Sequence, residues 1–319
     1  IAALSILDGA SRPPLKIDIV DDGCARDKAL GVAASIVATH PAVVIGHPCA
    51  TAAIAAAPLY QAAGVLFMAA GVRHPELTDK RAGTLVFRAA GRDDRQGADA
   101  GRRLRALAGD TGASVILHDR TVMARSIADA AAQTAAKTAN GTAAIPPRIL
   151  TLVAGEADYG RIADEIASLK PAALLFAGFP AEAAIVLRQL RQRGLEIPLL
   201  ANDAMATSEF ADHADLLLDG AVEVMMPVSI GRDALGAADT AETVIGKDIV
   251  AALGIWRDAV VATGSHDPVR IAAHLASQRD HIEEVGFDAR GDARAASYAP
   301  FRWREGEWRR ADLVNAQRN

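Results

Sequence analysis

The chain has 319 residues, a mass of 33.2 kDa, a formal net charge of −5 and a pI near 5.9. That acidity argues against a nucleic-acid partner, and an aromatic content of 4% leaves no stacking platform for single strands. Hydrophobic residues make up 51% of the chain, enough for two cores, yet no apolar run approaches the roughly 18–20 residues needed to span a bilayer.

In chain order, residues 1–10 (IAALSILDGA) look helical, with Gly9 where that helix should stop and no basic leader region ahead of them. Short β-branched runs then alternate with longer Ala-rich stretches, the pattern of βαβ units around parallel sheets. Strands are expected at 16–20, 42–45, 65–68, 85–88 and 114–117, with helices at 26–39, 51–63 and 96–107 between them. The second half repeats the theme, with strands at 148–152, 173–176, 198–201 and 221–225. Its helices fall at 125–137, 159–169, 181–193 and 208–214, followed by two longer ones at 241–263 and 267–277. Gly64 and Gly194 stand where helices should stop. The tail, 286–292 and 298–310, reads as a turn-linked β region. No repeat of 20–50 residues appears, which argues against a solenoid. Changes of character near 118–125 and 236–240 divide the chain into two lobes, 1–119 with 239–281 and 120–238 with 282–319. The fold class is therefore α/β, with two Rossmann-like lobes.

Two cysteines are present. Cys24 follows the run at 16–22 and Cys49 the run at 42–46. If those runs are neighbouring parallel strands, both thiols emerge at one sheet edge, within reach of the roughly 4.4–6.8 Å Cα separation that a disulfide requires. A structural disulfide points to an oxidising compartment. Two unrelated buried thiols are the alternative.

Enzyme chemistry is hard to find. No Gly-x-Gly-x-x-Gly, His-Glu-x-x-His, Cys-x-x-Cys or Gly-x-Ser-x-Gly occurs, and Ala241 stands where a phosphate loop ending at Gly246-Lys247 needs glycine. The eight histidines are scattered without metal-ligand spacing. His47 and His118 sit at strand ends, where a hydrogen-bonded structural role fits. Asp93, Asp119 and Asp203 also lie at strand ends, with nothing that pairs them as acid and base.

The segment 43–78, VVIGHPCATAAIAAAPLYQAAGVLFMAAGVRHPELT, resembles the type I periplasmic solute-binding proteins, most closely the leucine/isoleucine/valine-binding branch that serves ABC importers. Further similarities run in the family's order: DDGC at 21–24, FRAAGRDDRQG at 87–97, GEADY at 155–159, AGF at 177–179, LRQLRQRG at 187–194 and GFDARGD at 286–292. The resemblance implies two lobes joined by three hinge crossings and a Cys24–Cys49 disulfide. It also implies that residues 2–9 are the tail of a helix following a central strand, so that residues ahead of Ile1 are expected.

The same resemblance implies a binding protein without cofactor or catalytic residue. Such a protein captures a small amino acid or carboxylate ligand by lobe closure, works as a periplasmic monomer and passes its ligand to a membrane permease. A ligand-sensing receptor domain, or an accessory protein with a degenerate pocket, is the alternative. The loop after the Gly-His-x-Cys strand gives the family's carboxylate site, here Ala50 and Thr51. The next loop, usually Gly-Ala-Thr, is Gly71, Val72 and Arg73. Arg73 could grip a carboxylate, reach toward the other lobe or lie in solvent. Asp203 matches the family's ammonium-binding acid, with a helix cap as its alternative. Phe179 stands where a tyrosine often walls the pocket. The stretch DRTVMA at 119–124 is shorter than the family's tyrosine-bearing hinge loop.

Overall fold

The computed structural model describes residues 15–109, 111–137, 143–207, 210, 222–228, 234–235, 241–278, 286–294, 297–304 and 307–311. In chain order the elements begin α1 (Arg26–Val37), β1 (Val44–Gly46), α2 (Ala50–Ala62), β2 (Phe67–Ala69), α3 (Glu76–Asp79) and β3 (Val86–Arg88). Next come α4 (Asp93–Ala108), β4 (Ser114–His118), α5 (Val122–Ala135), β5 (Arg148–Thr151), α6 (Gly160–Leu169), β6 (Ala173–Ala177) and α7 (Pro180–Gln192). They are followed by β7 (Leu199–Asn202), a 3-10 turn (Asp203–Met205), β8 (Val222–Val228) and β9 (Ala234–Leu235). The chain ends with α8 (Ala241–Thr263), α9 (Pro268–Ser277), β10 (Ser297–Arg304) and β11 (Glu307–Arg310). The helix expected at 208–214 lies, apart from Phe210, outside the described residues, as do residues 2–9.

Helix ends follow local chemistry. Gly64 and Gly194 adopt φ of 71° and 72°, as residues just beyond a helix end must. At the first, Gly64 N–H donates to Gln61 O and Val65 N–H to Tyr60 O; at the second, Gly194 donates to Arg191 O and Leu195 to Leu190 O. These are the paired bonds of the Schellman motif.

The chain divides into two compact units, residues 1–91 with 242–295 and residues 92–241 with 296–319. The first unit contains a parallel sheet of order β1-β2-β3. Its strands alternate as the pleat requires. Leu66, Met68, Leu85 and Phe87 pack with Trp256 of α8 and Ile271 of α9, whereas Val65, Phe67 and Val86 pack with Ala53 and Tyr60 of α2. Arg88, fully buried, ties β3 to the segment reading GFDARGD: its Nε donates to Asp292 Oδ1 at 2.8 Å, and its other nitrogens meet His74 O and Thr78 Oγ1.

The second unit holds an eight-stranded sheet of order β5-β4-β6-β7-β8-β10-β11-β9. It is parallel from β5 to β8 and antiparallel beyond. Leu117, Phe176 and Ala201 face α6 and α7, and Ile116, Leu175 and Leu200 face α4 and α5. The last two helices approach so closely that a Cβ at Gly97 would stand 2.4 Å from Ile127 O, and one at Gly101 2.4 Å from Ala131 O.

One expectation changes. Residues 16–20 form no strand: Ile17, Ile19 and Val20 are 44%, 87% and 53% exposed, and no described strand pairs with them. β-branched composition supplies only a preference, and a strand exists through a neighbour's backbone groups. Residues 92–119 cluster with the second unit because β4 pairs with β5 and β6 and α4 packs on their sheet, while 286–294 join the first through Arg88 and Asp292.

Glu223 of β8 is buried between Arg103 and Arg302, with contacts of 2.5–2.8 Å. Burial pushes its carboxyl up, but the two guanidinium groups outweigh this and hold it below the usual range. A depressed folded-state pKa contributes stability that is full above the unfolded carboxylate's value, about 4.3, and is lost as pH falls through the folded one. The urea midpoint of the second unit should therefore drop as pH is lowered below about 4.3, and Glu223→Gln should remove that part of the dependence. Separately, Gly101→Ala should lower stability by about 1–3 kcal/mol through overpacking; a gain, as helix propensity alone predicts, would show that α4 and α5 can part freely.

Candidate functional site

In the first unit, β1 and β2 are parallel neighbours, with Gly46 opposite Ala69, so the loops that follow them leave by the same carboxyl edge. The first loop runs through His47 and Cys49 into α2. Cys49 is the N-cap and gives no side-chain capping bond, and the first helical bond runs from Ala53 N–H to Cys49 O. The amides of Ala50, Thr51 and Ala52 thus have no acceptor within the helix, and the helix dipole places partial positive charge there. Thr51 is exposed and Ala50 half-buried. The second loop turns at Gly71, φ 86°. Val72 packs into the core with Val44, Phe67 and Leu77, so that position has only its backbone to offer the edge. Arg73 is half-buried. The loops carrying Ala50, Thr51, Val72 and Arg73 share one edge.

A side-chain knot holds this corner. His47 Nδ1 lies 2.6 Å from Asp22 Oδ2, and its Nε2 lies 2.8 Å from Tyr60 Oη. A carboxylate can only accept, so Nδ1 carries the proton and Nε2 takes the bond from the Tyr60 hydroxyl. Burial, then the nearby Asp22 charge, push the Tyr60 phenol up to about 12, so it stays a donor. The rings of His47, Tyr60 and Phe67 pack tilted or edge-on to one another, 5.1–5.7 Å between centroids.

Beside the knot, Cys24 and Cys49 form a disulfide with their Cα atoms 5.3 Å apart. The bond is as expected, but its cause is different. Residues 16–20 are no strand, and Cys24 is brought to Cys49 by a turn. Asp21 and Asp22 accept from the amides of Gly23 and Cys24, both at φ above 50°, while Asp22 reaches His47 with its other oxygen.

In the second unit, β6 and β7 are parallel neighbours and present Phe179 and Asp203 at one carboxyl edge. Phe179 is 47% exposed at the start of α7, where Pro180 occupies the first turn. Asp203 is half-buried in the 3-10 turn, and its Oδ1 accepts from Gln96 Nε2 at 2.9 Å. The helix it could have capped falls mostly outside the described residues. Phe179 and Asp203 belong to one unit, the loops of Thr51 and Arg73 to the other.

Further polar groups lie at this second edge; the sequence marks Asp119 and His118 only by their place at strand ends and does not single out Asn202 or Gln96. Asp119 Oδ1 accepts from the amide and hydroxyl of Thr121, and Asn202 Oδ1 from the amide of Gly178. Gln96 lies within the FRAAGRDDRQG segment, but only its distant partners reveal what it holds. His118 is buried, which pushes its imidazole below the usual histidine range. Val122 stands 65% exposed at the start of α5.

Three comparisons place this arrangement among known proteins. A family model described as periplasmic binding protein matches residues 7–242. Leu/Ile/Val-binding protein homolog 2 of Brucella abortus is 27% identical over 252 residues, covering 73% of this chain and 64% of its own length, so the match spans less than two thirds of that relative. Leu/Ile/Val-binding protein homolog 1 of Brucella suis is 26% identical over 315 residues, 93% of this chain and 81% of its own. Among solved structures, the leucine binding protein LivK from Thermotoga maritima superposes with a TM-score of 0.75 at 18% identity, covering 98% of this chain and 93% of its own.

If the disulfide constrains the corner as a loop closure, replacing Cys24 and Cys49 together by alanine should cost about 3–4 kcal/mol. Urea denaturation would read this as a lower midpoint with a steeper slope, because the unfolded chain expands once the cross-link is gone. A midpoint equal to the parent's would mean that Asp22, His47 and Tyr60 hold the corner alone.

Proposed function

The chain belongs to the periplasmic binding protein family, a family of binders and not of enzymes, and from that premise we propose that it is an extracytoplasmic solute-binding protein for a small amino acid or related carboxylate. The observation that carries this reading is the uncapped start of α2. Three amides with no helical acceptor, the Thr51 hydroxyl and the Arg73 loop leave one edge of a parallel sheet. Donors and positive potential arranged in this way suit a carboxylate.

Asp203 takes the ligand's ammonium group, and Phe179 contributes apolar wall. Binding proceeds by lobe closure, and the loaded monomer delivers its ligand to the membrane permease of an ABC importer from the periplasm. The curated relatives named as Leu/Ile/Val-binding proteins support an amino-acid ligand. Among the described residues, no helix is long and apolar enough to cross a membrane.

A thermal-shift screen across amino acids and aliphatic or aromatic acids should give a stabilising ligand, by about 2.7 kcal/mol at a hundredfold excess over Kd. Arg73→Ala should then weaken that ligand by about ten- to a hundredfold, the worth of a hydrogen bond to a charged group, while the chain still folds. Unchanged affinity would remove Arg73 from the site.

A further inference from the structure

We propose that Gln96 is a positioning residue, which holds the Asp203 carboxylate for a cationic ligand group and so makes the site selective for amino acids over plain carboxylic acids. The inference rests on the reading of Asp203 as a ligand contact. Gln96 is fully buried on α4, and its carboxamide bridges two neighbouring strand regions. Nε2 donates at 2.9 Å to Asp203 Oδ1 and at 2.7 Å to the carbonyl of Met225 on β8. Both partners are acceptors, so the orientation of the amide is fixed: only the NH2 group can face them.

Among the described residues Gln96 has no hydrogen-bond partner for its carbonyl oxygen. As a holder of a carboxylate it is well suited. The bond to Met225 anchors the amide to the sheet, through the strand paired with β7, and the bond to Asp203 passes that anchorage to the half-buried acid. A carboxylate offers about four lone-pair directions, so the amide sets its plane without exhausting its capacity to accept. Fixing that plane before binding removes an ordering cost from the bound state. The benefit goes to ligands that donate to Asp203, and a ligand lacking the ammonium gains nothing from it.

The test uses the whole chain. A thermal-shift screen of the protein amino acids supplies the probe, and the des-amino acid with the same carbon skeleton is the control. Gln96→Leu should weaken the amino acid by about tenfold or more while changing the control by less than about twofold. Equal losses for both probes would overturn the proposal. Gln96→Glu supplies a second readout. Its carboxylate repels Asp203 at neutral pH, but once protonated it donates to it, so amino-acid affinity should recover as pH falls from about 8 to about 5, relative to the parent. A flat ratio would reject the positioning role. Asp203→Asn separates the two ideas. If it leaves amino-acid affinity intact, or if the parent binds no amino acid, the reading of Asp203 fails and Gln96 with it. If Asp203→Asn weakens binding and Gln96→Leu does not, only the role of Gln96 fails.

Discussion

Parallel pairing is the constraint on which the rest of this structure depends. A parallel strand cannot be followed by a tight hairpin; the chain must cross over, here through a helix, before pairing again. Every strand of a set therefore releases its next loop at the same edge, and every crossover helix begins there. In the first unit this gathers the loops of Thr51 and Arg73, and in the second those of Phe179 and Asp203. Helix starts bring unsatisfied amides and positive potential to that edge, so a polar, ligand-ready rim arises from topology before any side chain is chosen.

Side chains then decide which rim groups stay available. At α2 the N-cap sulfur is tied into the disulfide, and His47, which precedes it, is held between Asp22 and Tyr60. Neither residue caps the helix. The knot also does what sheet pairing was expected to do for the segment before α1. With residues 16–20 unpaired, the turn at 21–24 is fastened by its carboxylates and its cysteine. In the second unit the polar groups are matched in pairs across elements, Gln96 with Asp203, Asn202 with Gly178 and Arg103 with Glu223, so that strand ends and helix α4 behave as one piece.

Much of the fold was legible because periodicity and punctuation are local. Alternation of short β-branched runs with Ala-rich stretches placed β1 to β8 and most helices within a few residues, and Gly64 and Gly194 stopped their helices through bonds spanning six residues or fewer. The failures share a cause. The run at 16–20 looks like a strand by composition, yet no described strand pairs with it. The larger sheet pairs β4 with β5 and β6, partners that no local pattern near residue 118 announces. Val72 lies in the loop after β2, and only packing shows its side chain turned into the core.

By itself, then, the sequence determined the α/β class, the alternation of elements, the family resemblance and the candidate residues at strand ends, because these follow from short-range pattern and from motifs in order. Tertiary structure alone decided which strands find partners, why Cys24 meets Cys49, and that Gln96 reaches Asp203 across more than a hundred residues of chain. Such contacts depend on how distant segments are brought together by packing, and no local window of sequence contains both halves of them.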